Sequence, residues 1–418
     1  MLTSAMIMIS RWLVVLVLGA GSACLGAPTV IGVILPTNDT IYDPSSDRIL
    51  ASVPSRAGTQ RGNTITPIDP YTGEFGTSVF VTSEPNKLAL TDDGARIYVA
   101  SDSTNTVTPF SLETMSPGLP FPIGEENERV EDMESVPGNP KALVVSRQRD
   151  PINNEGLAVF VEGEMLPRTT TNYANEIEFG AAPGILYGLN NHTSSFDFIT
   201  YSVDLSPGGG VEAGFIETEL VDEYDLGMEF DDGRMYFTNG QVAEVIVPAP
   251  VGSFIASGPV EPVSSSGRTY FVVGNKLKSF SQSRFVPLGE MTIPEFTGAA
   301  KNLISLGGSA LALTTTTDQV FIIRLPGDYD ANGVVSAADY HIWKANYGST
   351  TNLVADANQD NIVDAADYVV WRKNLGQTLV GTEGEASSSN VAAPEPAALL
   401  TLVLGAVASL RMLRLRDV

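Results

Sequence analysis

The sequence predicts a mainly β protein: a seven-bladed β-propeller over residues 28–326, followed by a small α domain of two loop-helix (EF-hand-type) units over residues 327–377. Three observations predict this fold. A turn followed by a short β run recurs seven times, about 43 residues apart, which is the length of one four-stranded blade. Turn-forming residues are frequent between these runs, and no long amphipathic helical pattern interrupts them. An acidic unit then occurs twice, 28 residues apart.

The composition limits the kinds of partner that the chain can have. It has 418 residues, with 49 Asp and Glu against 24 Lys and Arg, and a net charge of -25. This charge excludes a nucleic-acid partner, whereas an acidic surface attracts divalent cations. The only cysteine, Cys24, lies in a segment that we expect to be removed. The mature chain therefore folds without a disulfide and relies on its core and on metal.

Residues 1–27 are typical of a secretory signal peptide that signal peptidase removes. Arg11 precedes an apolar run from Trp12 to Leu18, and small residues follow it up to residue 27. The apolar run is too short to span a bilayer. Cys24 follows Gly-Ser-Ala, a poor signal for lipid attachment, and lipid attachment at this cysteine is the alternative. We expect an exported protein.

The central region carries the blade repeat. Each copy is a turn, often acidic or glycine-bearing, that leads into a β run. The copies are Ser45–Ser52, Thr91–Ser101, Gly138–Ser146, Ala181–Leu189, Asp231–Asn239, Ser265–Val273 and Gly307–Thr315. A further strand and turn follow the first two copies, at Gly62–Gly73 and Asn105–Thr114. The alternatives to a propeller are a pair of two-sheet sandwiches and a β-helix.

One blade supports a family resemblance, and the chain ends suggest how the ring closes. Residues 88–114, LALTDDGARIYVASDSTNTVTPFSLET, resemble a blade of the YVTN-type β-propellers, a family of secreted propellers. The run Pro28–Leu35 is placed to complete the last blade beside Val320–Leu325. Such a clasp between the two ends of the propeller hides edge strands that an open sheet would expose.

The repeated acidic unit has the spacing of a twelve-residue calcium loop, in which alternate positions and a closing carboxylate supply oxygen ligands. The first loop offers Asp328, Asp330, Asn332, the Val334 carbonyl, Ser336 (through water) and Asp339. The second loop offers Asp356, Asn358, Asp360, the Ile362 carbonyl, Asp364 and Asp367. Two Ca²⁺ ions are therefore expected. Because about 50 residues with two short helices cannot build a sufficient core alone, we expect the domain to fold only with its metal.

Other positions of the two units follow from the same geometry. Gly333 stands where the loop turns with a positive φ, and Asn361 takes that place in the second loop because asparagine tolerates the left-handed region. After each loop, a tyrosine and a tryptophan lie three residues apart on one helical face: Tyr340 with Trp343, and Tyr368 with Trp371. We expect these aromatic side chains to form the core of the small domain.

Two loop-helix units at this spacing resemble the type I dockerin module over Asp328 to Gly376. The resemblance implies two calcium ions and docking onto a cohesin-like domain. It also implies that the tenth and eleventh loop positions and the basic residues after the loop contact the partner. These residues are Ala337, Ala338, Lys344, Ala365, Ala366, Arg372 and Lys373. The alanines replace hydroxyl residues that are usual in the family, which bears on cohesin docking and leaves calcium binding untouched.

The C-terminal part reads as a linker and a membrane-associated segment. Residues 378–393 are small and polar and predict a flexible linker. Residues 394–418 carry Pro-Glu-Pro, an apolar stretch from Ala397 to Leu410, and three arginines. This order resembles the PEP-CTERM sorting signal, which implies processing by an exosortase, a transient membrane segment, and location at a cell surface or in a matrix with extracellular polysaccharide. A permanent single-span anchor is the alternative.

Candidate catalytic groups are few. The only histidine of the propeller, His192, lies in a turn, where we expect it to be solvated. The acidic run Glu125–Ser135 is expected to be a solvated loop, and a metal or sugar site is the alternative. Carboxylate pairs for glycoside hydrolysis remain open, because their separation cannot be read from sequence. We predict a noncatalytic propeller that binds a surface or matrix component, together with a calcium-dependent docking domain. The alternative is a dockerin-bearing polysaccharide-degrading enzyme, a glycosyl hydrolase or a lyase.

Overall fold

The computed structural model describes residues 28–150, 153–218, 220–307, 310–330, 332–358 and 360–380. These residues form a seven-bladed β-propeller and, after it, two short α-helices. The predicted signal peptide with Cys24, the sorting segment and residues 381–393 of the predicted linker lie outside the described residues. No helix within the described residues is long and apolar enough to cross a membrane.

The blades are seven antiparallel sheets, of which six have four strands and the second has five. Strand β1 spans Thr29–Ile34. Blades 1–3 contain β2 (Asp39–Asp43), β3 (Arg48–Val53), β4 (Thr64–Ile68), β5 (Val79–Phe80); β6 (Pro85–Leu90), β7 (Arg96–Ser101), β8 (Thr106–Ser111), β9 (Ser116–Pro117), β10 (Phe121–Pro122); and β11 (Arg129–Ser135), β12 (Ala142–Asp150), β13 (Asn153–Val161), β14 (Glu164–Met165).

Blades 4–7 follow in chain order. They contain β15 (Glu176–Phe179), β16 (Ile185–Asn190), β17 (Asp197–Asp204), β18 (Gly210–Glu217); β19 (Met228–Asp231), β20 (Arg234–Phe237), β21 (Gln241–Glu244), β22 (Ala249–Ser253); β23 (Val260–Val263), β24 (Arg268–Val273), β25 (Lys276–Ser281), β26 (Pro287–Thr292); and β27 (Ala300–Ser305), β28 (Ala310–Thr315), β29 (Gln319–Arg324).

The predicted repeat is confirmed. Each of its seven copies coincides with the first turn of a blade and the second strand that follows it, β3, β7, β12, β16, β20, β24 and β28. These strands are buried on both faces, which is why their sequences are nearly continuous apolar runs. Asp47 and Gly94, with φ of 52° and 65°, supply the left-handed turn conformation in the first two copies.

The ring closes as the sequence predicts. Strand β1 pairs antiparallel with β29, from Thr29 opposite Arg324 to Ile34 opposite Gln319. It thereby becomes the outer strand of blade 7, so the last blade is built from both ends of the propeller. This clasp covers the edge of β29, which would otherwise be the open outer edge of the last blade.

Strand direction divides the propeller into two faces. The inner strand of every blade begins at the same face, which also carries the connections between blades and the turns between second and third strands. We call this the upper face, and the opposite one the lower face. Inner strands of neighbouring blades are joined by carboxylates: Asp39 accepts a hydrogen bond from Leu88 N at 2.9 Å, and Asp132 accepts one from Ile177 N at 2.9 Å.

The small domain contains helices α1 (Ala337–Asn346) and α2 (Ala365–Asn374). Each begins with a capping box. The side chain of the N-cap residue accepts a hydrogen bond from the helix backbone, and the aspartate three residues later accepts one from the N-cap amide. The pairs are Ser336 with Asp339, and Asp364 with Asp367. Because each aspartate is also the twelfth residue of its loop, the helix start and the loop end depend on the same carboxylate.

The small domain lies against the lower face of the propeller at blade 6. Its buried residues belong to one apolar cluster with propeller residues, including Tyr270 and Leu277. Gly333 faces Tyr270, since a β-carbon on Gly333 would lie 3.3 Å from the Tyr270 hydroxyl oxygen. The described chain continues past residue 377, and Leu379 and Val380 are buried in the same cluster. The domain is therefore packed onto the ring.

Candidate functional site

The first acidic loop brings three carboxylates together. One oxygen of each of Asp328, Asp330 and Asp339 lies within 4.8 Å of the other two, and Asp328 and Asp339 are buried. Burial raises the pKa of Asp328 to about 7, and repulsion from Asp339 contributes. Crowded oxygen donors of this kind suit a hard divalent cation, whose charge would relieve the repulsion.

The backbone of both loops has the predicted form. Gly333 and Asn361 take the left-handed conformation, with φ of 78° and 68°. In the first loop the amide of Gly333 donates to Asp328 at 2.7 Å, and in the second the amide of Asn361 donates to Asp356 at 2.9 Å. The two loops therefore repeat in structure as well as in sequence.

The closing carboxylates are held in place by backbone amides. Asp339 accepts from the amides of Tyr329, Asp330 and Ser336 at 2.6, 3.0 and 2.7 Å. Asp367 accepts from the equivalent amides at 2.8, 3.1 and 2.8 Å. Each carboxylate is thus oriented by backbone amides of its own loop.

Three of the remaining predicted ligands make hydrogen bonds within their own loops. The side chains of Asn332, Asn358 and Asp360 accept hydrogen bonds from the amides two residues ahead, within their own loops. Among the described residues, the grouping of three carboxylates within 4.8 Å is found in the first loop and not in the second. The structure therefore presents the first loop as the better formed of the two.

The aromatic residues form the core of the small domain, as predicted. Tyr340, Trp343, Tyr368 and Trp371 contact one another with ring centroids 5.1–6.1 Å apart. Trp343 Nε1 donates to the Asp364 carbonyl, and Trp371 Nε1 donates to the Ser336 carbonyl, both at 2.8 Å. Each tryptophan therefore ties its own helix to the end of the other loop, so the two loops are mechanically linked.

The positions that the dockerin resemblance assigns to partner contact are all exposed. They are Ala337, Ala338 and Lys344 on the first unit and Ala365, Ala366, Arg372 and Lys373 on the second. Docking of the domain against blade 6 leaves them accessible.

A second candidate site is the central channel, which opens at the upper face as a cavity of about 650 Å³. Carboxylates from the inner strands of four blades line it: Asp39, Asp132, Glu134, Glu176, Glu178 and Glu229. Lys87, from blade 2, forms an ion pair with Asp132 at 3.2 Å. The channel thus holds several acidic groups against two lysines of its lining, Lys87 and Lys301.

The channel raises the pKa of the four inner-strand glutamates that line it. Burial raises the pKa of Glu229 to about 8 and that of Glu176 to about 7. The pKa values of Glu134 and Glu178 are also raised well above the ordinary value, again by burial first and by neighbouring carboxylates second. Conversely, Asp132 holds the pKa of Lys87 above its ordinary value. Some of the channel carboxyl groups therefore stay protonated near neutral pH.

Sequence reasoning missed this group of channel carboxylates. The prediction that Glu125–Ser135 forms a solvated loop is wrong for the second half of the run, because residues 129–135 form the inner strand β11. The signal was an acidic residue at alternate positions just before a repeat copy, as in Glu134 after Asp132 and Glu178 after Glu176. Alternation places such residues on one side of a strand.

His192 is more enclosed than its turn suggested. Its Nδ1 lies 3.6 Å from Glu131 and its Nε2 lies 3.5 Å from Asp225, and its side chain is 30% exposed. These contacts connect three successive blades at the upper face. The imidazole lies between two carboxylates, and these two contacts include no nucleophilic side chain.

Comparisons with known proteins address the fold. No family model matches the chain, and no curated protein matches it. The chain is similar to a hydrazine synthase structure from Kuenenia stuttgartiensis, with a TM-score of 0.53 and 14% identity, over 70% of this chain and 96% of that one. It is also similar to the β-propeller domain of Cps50 (Swd1) from Myceliophteria thermophila, with a TM-score of 0.55 and 11% identity, over 72% of this chain and 99% of that one.

At these identities the likeness establishes the fold alone. The chain is a seven-bladed β-propeller with two short helices after it. The fold alone does not determine the function, which depends on particular sites.

Proposed function

We propose that this chain is an exported, noncatalytic binding protein. Its propeller binds a surface or matrix component at the upper face, and its C-terminal loop-helix domain binds two Ca²⁺ ions and serves as a dockerin-like docking domain. The observation that carries the proposal is the cluster of Asp328, Asp330 and Asp339 in a loop whose backbone already has calcium-loop geometry.

The calcium half of the proposal rests on the donor set. Asp328, Asp330, Asn332, Ser336 and Asp339, with the Val334 carbonyl, offer oxygen ligands only, which is the chemistry of a hard cation. Asp356, Asn358, Asp360, the Ile362 carbonyl, Asp364 and Asp367 offer the same set in the second loop. The hydrogen bonds shared by the two loops support a second ion, and the looser second carboxylate group supports weaker binding there.

The docking half rests on exposure. The alanines and basic residues named above lie at the starts and ends of α1 and α2 and are solvent-facing. A cohesin-like partner would contact this surface while blade 6 covers the opposite side of the domain. Export and surface sorting rest on residues 1–27 and 394–418, which lie outside the described residues. Intact-mass measurement of the protein from its native envelope tests them, since a chain that ends at Val418 would indicate a permanent anchor.

A calcium titration of the whole chain tests the central claim. By isothermal titration calorimetry we expect two ions, with dissociation constants between about 10⁻⁷ and 10⁻³ M. Asp328→Ala should remove the first ion and Asp356→Ala the second. The matched control is Asp222→Ala, an exposed aspartate of the propeller, which should leave both.

Tryptophan fluorescence provides an independent reading, because the propeller contains no tryptophan and Trp343 and Trp371 report on the small domain. A chain that shows neither heat nor a fluorescence change up to 10 mM Ca²⁺ contradicts the proposal. Loss of both ions in Asp328→Ala would instead show that the two sites bind cooperatively.

A second candidate function is polysaccharide degradation, by hydrolysis or by elimination. The observation that favours it is Glu229, a carboxyl group with a pKa of about 8 in a channel that also holds other carboxylates. A protonated acid beside ionised carboxylates is the arrangement that glycosidic bond cleavage uses. Release of reducing ends from a polysaccharide panel by the purified chain, abolished in Glu229→Gln, would establish this function in place of noncatalytic binding.

A further inference from the structure

A second cavity opens at the upper face between blades 3 and 4. Its volume is about 470 Å³, within the usual range for small-molecule sites. The walls include Asn154 and Glu155 from β13, Thr171 and Tyr173 from the connection between the blades, and Asp197 from β17. We call it the interblade pocket. It is separate from the channel, because the two cavities share no lining residue.

A distortion of blade 3 creates the space. The pairing of β12 with β13 shifts register twice, between Arg147 and Asp150. Gly156 follows this distortion with a φ of 71°, and a β-carbon there would lie 1.8 Å from the Thr170 carbonyl oxygen. Only glycine allows so close an approach between the two backbones, so the segment that connects blades 3 and 4 lies directly against β13. The interblade pocket lies beside this contact.

The pocket walls contain polar atoms without partners. Tyr173, which is 4% exposed, has a hydroxyl with no hydrogen-bond partner, and the side-chain oxygen of Asn154 has none either. Seven buried polar atoms of this kind occur among the described residues, and two of them belong to this one pocket. A buried polar group left unpaired costs about 1–3 kcal/mol. In the wall of a cavity, water or a bound molecule can complete the hydrogen bonding of such a group.

The chemistry of the walls narrows the class of ligand. Side-chain amides, hydroxyls and two carboxylates make up most of the walls, and only Ile199 supplies apolar contact. Such polar walls are unsuited to a lipid or an aromatic ligand. No basic side chain lines the described pocket, which disfavours an anion. Glu155 is already paired with Arg149 at 2.9 Å, so the pocket is not strongly negative either. A neutral molecule with several hydroxyl groups matches these donors and acceptors.

We propose that the interblade pocket binds one neutral sugar unit, with Asp197 accepting hydrogen bonds from its hydroxyl groups and Tyr173 donating one. The proposal rests on the proposed binding function of the propeller and names its ligand class and place. Neither unpartnered atom has exposed area, so binding includes a rotation of the Asn154 and Tyr173 side chains toward the ligand.

Saturation-transfer NMR and calorimetry on the full chain test the proposal. The probes are the methyl glycosides of glucose, galactose, mannose and N-acetylglucosamine, with spermidine as a cationic competitor. We expect saturable binding of at least one glycoside. Asp197→Ala should weaken it about tenfold or more, and Tyr173→Phe several-fold. Because the Tyr173 hydroxyl has no partner in the fold, Tyr173→Phe should leave the melting temperature unchanged or slightly higher.

Asp204→Ala is the matched control, since Asp204 ends the same strand at the lower face. Equal sugar affinity in Asp197→Ala and Asp204→Ala would overturn the assignment, as would binding of spermidine alone or no binding of any glycoside. The calcium titration is read on the same samples. Normal calcium binding without sugar binding refutes this inference alone, whereas loss of calcium binding refutes the proposed function.

Discussion

At the scale of single residues, the channel carboxylates show how a fold changes the chemistry of common side chains. Glu134, Glu178 and Glu229 are ordinary strand residues in sequence, yet the ring brings them together in a partly enclosed channel. Their pKa values rise because ionisation is disfavoured by burial and by each neighbouring charge. A proton held in the folded state and lost in the unfolded state makes stability depend on pH.

Glu229 gives a prediction with a definite sign. Its pKa is about 8 in the folded chain against 4.5 for an ordinary glutamate. The stability that its proton contributes is complete below about pH 4.5 and is lost as the pH rises through about 8. Glu229→Gln, which stays neutral, should therefore raise the melting temperature relative to wild type more at pH 8.5 than at pH 5. We expect a difference of about 2 °C or more.

Differential scanning calorimetry at the two pH values measures this effect. Glu113→Gln, at an exposed position on blade 2, is the control and should behave alike at both. An equal shift for Glu229→Gln at pH 5 and pH 8.5 would show that this carboxyl group keeps an ordinary pKa in the channel.

At the scale of elements, strand β1 determines whether the ring is closed. It has no covalent neighbour in blade 7 and joins it only through pairing with β29. Alternation along β1 turns Ile31 and Val33 toward the core cluster between blades 7 and 1, while Ile34 is 67% exposed. The strand therefore contributes both sheet hydrogen bonds and apolar burial across the closure.

Two substitutions on β1 test whether the burial of its apolar side chains stabilises the closure of the ring. Ile31→Ser should lower the free energy of unfolding by about 1–2 kcal/mol, because it removes partly buried apolar surface at the clasp. Ile34→Ser, three residues away on the same strand, should change it by less than about 0.5 kcal/mol. Deletion of Pro28–Leu35 should destabilise the whole ring well beyond the loss of a free terminus. Urea unfolding followed by far-ultraviolet circular dichroism measures all three, and an unchanged midpoint in the deletion would contradict the clasp.

At the scale of the whole molecule, the two candidate binding regions lie on opposite faces. The channel and the interblade pocket open at the upper face, and the small domain with the two acidic loops lies against blade 6 at the lower face. The first loop contacts the blade directly through Gly333 and Tyr270, and Leu379 N donates to the Gly333 carbonyl at 3.1 Å. A shared apolar core between domain and ring predicts that they unfold together.

This coupling is testable with two spectroscopic probes. With Ca²⁺ present, we expect tryptophan fluorescence, which reports on the small domain, and far-ultraviolet circular dichroism, which reports mainly on the propeller, to show the same melting temperature. Removal of calcium by EDTA should lower both. Leu379→Ala should cost about 2–3 kcal/mol and weaken the first calcium site, since Leu379 is 1% exposed.

Val354→Ala, at a position 52% exposed in the same domain, is the matched control and should change neither. Two separate transitions in the presence of calcium, with the circular dichroism transition indifferent to EDTA, would show that the domain and the propeller are independent.

Local features of the chain were readable from sequence. The seven second strands were found because a turn and an apolar run signal themselves within about ten residues, and the left-handed Asn361 followed from the place it takes in a repeated loop. Even the clasp was predictable, because Pro28–Leu35 was a β run left over beside a blade that lacked one strand. These signals depend on backbone conformation and side-chain alternation, which neighbouring residues largely determine.

Only the tertiary structure decided which residues meet. Glu134 and Glu229 are far apart in sequence and share a channel because ring closure turns every inner strand toward one axis. The same closure placed His192 between carboxylates of two other blades, and it seated the calcium loops on blade 6. The sequence by itself determined the blade repeat and the calcium-loop spacing, because both are short-range patterns. The channel, the interblade pocket and their shifted pKa values depend on contacts between distant segments, which no local pattern encodes.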